Sequence, residues 1–397
     1  MTKSSEKKFT SKNNADVFRT GGLVGNFKFL SGEEGLDKRI SEETLRRLSL
    51  NLRDLSDEDS LLANHILTTL KETQRLPYSW SPQESNFLDT HPETDWFEYI
   101  IYRYKFKIYP RDQIESDFPP YALVEPVSLC NLRCIMCYQS DSEFTKKSNA
   151  HMGRMDIALF REVVDHLTAG GTKSLTMAAL GEPLLHEDFP KFLDYVRGKF
   201  FELKVNTNAT VLDERLSRVL LESDVNELVF SVDAHTSDVY ERIRLGGKFE
   251  IVRDNIIKFH ELRDRYYPNS NLRTRVSGML FDPEQNQEEF EAFWAKIADA
   301  VGYAFIRPQW DTYNNDVHPE NNEACHNLWG RLYVWWDGTI NPCEQDYKST
   351  LSVGTFPKSS IRDLWQSDGM KDLRQRHATG GRSKCFPCDR CGWSSGV

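Results

Sequence analysis

From about residue 121 onward the chain alternates short β-rich apolar runs with amphipathic stretches of helical period, the signature of βαβ units around a parallel sheet. Six strand candidates stand out: 122–129 (ALVEPVSL), 174–180 (SLTMAAL), 202–208 (ELKVNTN), 227–233 (ELVFSVD), 273–280 (RTRVSGML) and 303–310 (YAFIRPQW). Between them, DIALFREVVDHL, DERLSRVLLES and QEEFEAFWAKIA carry apolar residues at helical spacing. Six units are too few for the usual eight-unit closed barrel, so the pattern predicts an α/β fold, a partial TIM-like (β/α)6 barrel. In such folds the active-site residues stand at the C-terminal ends of the strands.

The flanks read differently. Residues 1–22 are polar without periodicity and read as a disordered tail. Over 23–118 a helical and aromatic N-terminal extension is expected. There Ser56 and Asp59 form a capping box ahead of Leu62, Ile66 and Leu70, and Trp80, Trp96, Phe97, Tyr99, Tyr102 and Tyr104 follow. The main expectation for these aromatics is packing against the barrel. Pro119-Pro120 breaks any helix before the barrel, assigned to 119–312. Beyond a polar connector, 313–397 reads as a small cysteine-rich domain. It holds a hairpin, RLYVWWDGTINPC, turning at Asp337-Gly338, and a short amphipathic helix.

Charge narrows the partners. A net charge of -10 over 397 residues, with no long Lys/Arg run, argues against a nucleic acid partner. The polar N-terminus lacks a secretory apolar region, and no uninterrupted apolar run is long enough to span a bilayer, so no membrane partner and a cytoplasmic location are expected. Eight cysteines in a reducing compartment point to metal or redox use rather than disulfides. They fall in two groups, Cys130, Cys134 and Cys137, then Cys325, Cys343, Cys385, Cys388 and Cys391.

The first group, in VSLCNLRCIMCYQ, has the spacing C-x3-C-x2-C at the end of the first strand. A cubane normally takes four thiolates, so a loop offering three leaves one iron open. A structural zinc would want a fourth Cys or His, and the loop has none. The motif resembles that of the radical S-adenosylmethionine (SAM) superfamily. The resemblance implies that SAM chelates the open iron through its amino and carboxylate groups. An electron from the cluster then splits the sulfonium into methionine and a 5′-deoxyadenosyl radical.

The same resemblance implies a series of SAM contacts. Tyr138, directly after Cys137, is expected near the adenine. Gly181-Glu182-Pro183 resembles the family's glycine-glutamate motif for the amino group, with Leu180 where the family form has glycine. Asn206-Thr207-Asn208 resembles a TNG-type element for the methionyl or ribose end, followed here by Ala209. Ser231 and Asp233 resemble the pair that bonds the ribose. Arg244, in YERIRLGGKF, matches a Y-x3-R-x-G-G pattern whose guanidinium could pair with the SAM carboxylate. Taken singly, each also reads as a cap, a turn or a surface ion pair; their order along consecutive strands is what raises them.

The C-terminal cysteines resemble the SPASM/twitch extension, which carries auxiliary clusters. Five can complete one. Cys325 and Cys343 fix one side; Cys388 and Cys391, followed by Trp393, are favoured for the other. Cys385 is then a spare thiol or an alternative ligand, and a four-cysteine zinc knuckle is the structural alternative. The expected cofactors are thus a SAM-binding [4Fe-4S] cluster, S-adenosyl-L-methionine and one auxiliary [4Fe-4S] cluster, with a flavodoxin or ferredoxin as electron donor.

The expected reaction abstracts a substrate hydrogen, and the auxiliary cluster then accepts the substrate radical's electron, which makes it an oxidation. No residue beyond the ligands and SAM contacts is assigned to catalysis. The twitch-sized domain resembles that of an aminocyclitol-oxidising relative, which favours a small polar carbohydrate-like substrate. The alternative is maturation of a ribosomally made peptide or a protein side chain. Those enzymes often carry a winged-helix domain with β-rich runs near the N-terminus, whereas 40–75 reads as helical. His186, Asp311, Tyr313 and the N-terminal aromatics are pocket candidates that also have structural readings. A non-catalytic iron-sulfur electron carrier is the competing class, although it has no use for a barrel or SAM motifs.

Overall fold

The computed structural model describes residues 16–20, 27–29, 55–76, 82–146, 151–304 and 311–392, with single positions 43, 46, 48 and 78. Its strands, in chain order, are β1 (Asp16–Thr20), β2 (Phe27–Phe29), β3 (Tyr121–Val124), β4 (Arg133–Cys134), β5 (Ser174–Met177), β6 (Glu202–Thr207), β7 (Glu227–Ser231), β8 (Arg244–Leu245), β9 (Arg273–Met279), β10 (Ala300–Ala304), β11 (Arg331–Val334), β12 (Thr339–Asn341) and β13 (Gly354–Thr355). The order β3-β5-β6-β7-β9-β10 gives six parallel strands, the wall of an open barrel.

The barrel forms because each strand has one apolar face. On β6, Leu203 and Val205 pack into the core with Leu175, Met177, Leu228 and Phe230, while Glu202, Lys204 and Asn206 occupy the alternate positions that face the lumen. Phe160, Val163, Val164 and Leu167 cover the outer face from the helix Ile157–Ala169, as do Ile256 and Phe259 from Phe249–Tyr266. Burying each such side chain stabilises the fold by roughly 1.5–3 kcal/mol.

Two expectations need correction. The sixth strand begins at Ala300 rather than 303, because its pairing with β9 runs from Ala300↔Arg275 to Ala304↔Met279; residues 305–310 lie outside the described set. The tail read over 1–22 contains β1, parallel to β10 and followed by antiparallel β2. An open barrel leaves an edge with unpaired backbone groups, and β1 pairs with that edge. The expected hairpin, turning at Asp337-Gly338, joins the barrel sheet: β11 pairs parallel with β3, so β11, β12 and β13 extend the barrel wall. The turn at Gly338 has φ 84, as its glycine permits.

The N-terminal extension closes the lower end of the barrel. Ser56 caps the helix Asp57–Thr73 by accepting from Asp59 N, and Leu62, Ile66 and Leu70 pack on Phe97, Ile100 and Ile101 of the helix Glu93–Asp112. That second helix turns Tyr99, Tyr102 and Arg103 onto Glu202, at the start of β6. The tyrosines donate at 2.9 and 2.7 Å and Arg103 Nη1 at 3.1 Å, while Arg103 Nε reaches buried Glu84 at 2.9 Å. These aromatics therefore plug the floor and do not line the upper pocket; Trp80 lies outside the described residues. No helix among the described residues is long and apolar enough to cross a membrane.

Candidate active site

Cys130, Cys134 and Cys137 sit on the loop after β3, at the C-terminal mouth of the barrel. Cys134 pairs with Arg244 across the two-stranded β4–β8 ribbon. Each thiol has a donor aimed at it. Leu132 N lies 3.4 Å from Cys130 Sγ, Gln139 N 3.4 Å from Cys137 Sγ, Asn208 Nδ2 3.7 Å from Cys130 Sγ and Arg244 Nη1 3.8 Å from Cys134 Sγ. Donors to sulfur stabilise the thiolate form that binds iron and tune the cluster. Burial alone opposes that form, pushing Cys130 up to about 11 and Cys137 up to about 12. A cluster's iron charge offsets that penalty, so the donor set fits a three-thiolate cubane.

The loop is braced by the next strand end. A Cβ on Gly181 would stand 2.1 Å from Val127 O and 2.6 Å from Leu129 O, and Glu182 N donates to Leu129 O at 2.9 Å. Gly181 thus permits close approach to the cysteine loop's backbone rather than to a ligand. Glu182 accepts from Thr207 Oγ1 and Asn208 N, both at 2.7 Å, and from Leu184 N at 3.2 Å. Burial pushes its carboxyl up to about 7 against those three donors. Asn208 continues the chain of contacts to Asn131 Oδ1 at 3.0 Å, and Ala209 takes φ 58, the left-handed conformation where glycine is usual.

Asp233 and Arg244 meet in a way their spacing did not foretell. They form a buried bidentate ion pair at 2.6 and 2.8 Å, and Asp233 Oδ1 also accepts from Met279 N at 2.9 Å. Arg244 thus contacts both Asp233 and Cys134 and ties the cysteine loop to the end of β7. Ser231 stands at the end of the same strand, two residues before Asp233. Burial pushes the Asp233 carboxyl up against the pull of Arg244.

Tyr138 stacks on Tyr347 with centroids 5.2 Å apart and donates to Ala179 O at 3.0 Å; Ala179 itself is held at φ 106. Tyr347 donates to Asp141 Oδ2 at 3.0 Å, and Lys348 Nζ pairs with the same oxygen at 2.7 Å. The C-terminal domain is thereby fastened to the cysteine loop. Two amide oxygens at this mouth, Gln139 Oε1 and Asn206 Oδ1, are buried with no hydrogen-bond partner among the described residues. They are candidate acceptors for a ligand's N–H or O–H groups.

The second cysteine group also converges. Burial raises the Cys343 thiol, and Cys325, Cys391 and Cys388 beside it raise it further; Cys388 responds to Cys325 and Cys391 in turn. Cys385 is felt by Cys388 but not by Cys343. Its thiol donates to Gly381 O at 3.4 Å and faces Arg376. Neither group is drawn in to the spacing of a single-ion site among the described residues. Trp393 lies outside them.

Other expectations resolve as structural. His186 is buried beside Phe192 with Nε2 3.0 Å from Met155 O, Asp311 accepts from Asn314, and Tyr313 donates to Asp346 at 2.6 Å. Gln285 was missed. Its amide donates to Asp233 O at 2.6 Å and Met279 O at 2.7 Å, tying the ends of β7 and β9 together from a loop without sequence pattern.

Comparison with known proteins agrees with this geometry. The radical SAM superfamily model matches residues 124–296, and an iron-sulfur cluster-binding domain, SPASM, matches 325–392. The chain is 33% identical over 301 residues to the tungsten-containing aldehyde ferredoxin oxidoreductase cofactor-modifying protein of Pyrococcus furiosus, covering 62% of this chain and 81% of that one. It is 29% identical over 318 residues to the subtilosin biosynthesis protein AlbA of Bacillus subtilis, covering 70% of this chain and 66% of that one. It is 23% identical over 214 residues to mycofactocin maturase MftC of Mycolicibacterium smegmatis, covering 52% and 48%. The chain thus spans less than two thirds of the length of the last two. Streptococcus suis SuiB bound to S-adenosylmethionine shares the fold with a TM-score of 0.54 at 14% identity, over 93% of this chain and 90% of that one. The chain belongs to the radical SAM superfamily, whose members bind a [4Fe-4S] cluster and S-adenosylmethionine, and it carries a C-terminal iron-sulfur cluster-binding domain.

Proposed function

We propose that the chain is a maturase that acts on a peptide or protein side chain, with Cys130, Cys134 and Cys137 holding the SAM-binding cluster and Cys325, Cys343, Cys388 and Cys391 the auxiliary one. The observation that carries the radical chemistry is the three-thiol loop at the barrel mouth, with donors at every sulfur. When bound, the cluster and SAM supply a 5′-deoxyadenosyl radical that takes a hydrogen atom from a substrate carbon. The protein's part is orientation. Glu182 and Asn208 fix the strand ends, Asn206 and Ser231 offer polar groups to SAM, and Arg244 and Tyr138 hold the loop against β8 and the C-terminal domain.

The peptide reading has more support than the small carbohydrate-like one. Two of the relatives above are named for the biosynthesis of a bacteriocin and the maturation of mycofactocin, and SuiB has been solved bound to a precursor peptide. The argument against it from a β-poor N-terminus also weakens, since β1 and β2 lie there. Glu344, next to Cys343, is felt by Arg331 and Lys204 in the barrel lumen, which supports an auxiliary cluster facing the substrate and taking its electron. Cys325→Ala is expected to lose product while retaining 5′-deoxyadenosine release; full product formation removes the electron-acceptor role.

The direct test is anaerobic incubation of reconstituted enzyme with SAM, dithionite and size-fractionated deuterated cell extract. Release of 5′-deoxyadenosine is expected, with deuterium acquired from the peptide-sized fraction. Deuterium from the metabolite-sized fraction returns the account to a small substrate. No release at all, in a sample holding about eight irons, favours an electron carrier.

A further inference from the structure

Below the cluster mouth the barrel lumen is charged, and its charges are unequally satisfied. Glu227 on β7 is gripped by Arg275 Nε at 2.8 Å, and Arg275 and Lys204 together hold its carboxyl well below the usual range, at about 2, despite its burial. Lys204, beside it on β6, stands 3.7 Å from Glu227, within ion-pair range but too far for a hydrogen bond, and its ammonium makes no hydrogen bond among the described residues. A little over a quarter of its side chain remains exposed, at 28%, though protein surrounds it, so it opens onto the lumen.

Arg331, at the start of β11, lies over the rings of Phe106 and Tyr121 at 5.7 and 5.3 Å and forms no ion pair with a carboxylate among the described residues. The nearby Glu344 forms no hydrogen bond or ion pair with either cation among the described residues. Among the three cations Lys204, Arg275 and Arg331, only Arg275 hydrogen-bonds a carboxylate among the described residues, while Glu202, also near Lys204, is held by Arg103, Tyr99 and Tyr102. Two of the cations keep donors that a planar anion would satisfy.

We propose that Lys204 and Arg331 form a carboxylate-binding floor in the lumen, which holds an anionic end of the substrate. Lys204 precedes Thr207, at the strand's end, by three residues, so the floor lies about 10 Å below the cluster mouth. An extended substrate anchored there presents a carbon several bonds from its carboxylate to the reacting centre. Within a peptide, that anion is either the C-terminal carboxylate or an acidic side chain. The inference rests on the radical SAM reading for the direction of the substrate, but the binding site is testable without turnover.

Reconstituted holoenzyme is pulsed with acetic anhydride, and acetylation of Lys204 is read by peptide mass spectrometry. The probes are N-acetylglutamine, which carries only a main-chain carboxylate, N-acetylglutamate α-amide, which carries only a side-chain one, and the uncharged N-acetylglutamine amide. One of the carboxylate probes is expected to slow Lys204 acetylation by about threefold or more, as charge-assisted contacts should. The probe that protects names the source of the anion. The uncharged amide should not protect. Protection should be lost in Arg331→Gln and retained in Arg331→Lys, which keeps the charge and guards against misfolding. Equal acetylation with every probe, or equal protection by the amide, overturns the proposal. Release of 5′-deoxyadenosine from the same preparation reports on the radical reading separately, so the two failures are distinguishable.

Discussion

At the scale of single residues, the cluster mouth depends on close approach and on buried carboxyls. Gly181→Ala would set a methyl 2.1 Å from Val127 O, so the cysteine loop must shift. We expect a loss of about 1–3 kcal/mol in stability and reduced iron binding at the barrel site, read by metal analysis and thermal unfolding; unchanged iron content contradicts the brace. Glu125 offers a pH test. It is fully buried, accepts from Leu180 N at 3.1 Å and Trp336 N at 3.3 Å, and burial pushes it up to about 8. Unfolded, it releases its proton at the ordinary glutamate value of 4.5. Between those values the folded chain holds the extra proton, so this group's contribution to stability declines as pH rises across the window. Thermal midpoints of wild type and Glu125→Gln, taken across that window, should differ in slope, the variant lacking the decline; parallel slopes contradict it. The cysteine spacings were legible in the sequence because iron ligation fixes them locally. The Asp233–Arg244 pair was not, since it joins two strand ends that only the barrel brings together.

At the scale of elements, the helix Glu93–Asp112 acts as a floor for the barrel. Arg103 bridges Glu84 and Glu202, and all three are buried or nearly so. Arg103→Met removes the guanidinium between two carboxylates and leaves Glu84 to Lys107 and Glu202 to Tyr99 and Tyr102; we expect destabilisation of about 1.5–3 kcal/mol, read as a fall in the thermal midpoint, and a change within experimental scatter contradicts the plug. Five of the six barrel strands were readable from their alternation and turn residues. The sixth drifted because its apolar run continues past Ala304, while pairing with β9 selects the earlier residues. β1 escaped because five residues, DVFRT, are too short a run to show a period of their own, and its place is set by pairing with β10 from the far end of the barrel. The polar alternation of Glu202, Lys204 and Asn206 was visible in ELKVNTN, but a sequence does not say which face is the lumen.

At the scale of the whole molecule, two cysteine groups meet across one junction. Tyr138 stacks on Tyr347, and Asp141 receives both Tyr347 and Lys348, so the cysteine loop and the C-terminal domain hold each other. The choice among the five late cysteines was open in the sequence; in the fold Cys343 has Cys325, Cys388 and Cys391 beside it, whereas Cys385 neighbours Cys388 and Arg376. Cys385→Ser should keep about eight irons per chain and Cys388→Ser about four; the reverse pattern exchanges their roles. The central claim is that protein leaves one iron of the barrel cluster open for SAM. Electron-nuclear double resonance on the reduced cluster, with SAM labelled with 17O in its carboxylate and 15N in its amino group, tests it most directly. We expect hyperfine coupling from both labels to the cluster. A reduced cluster that shows neither coupling at saturating SAM contradicts the account.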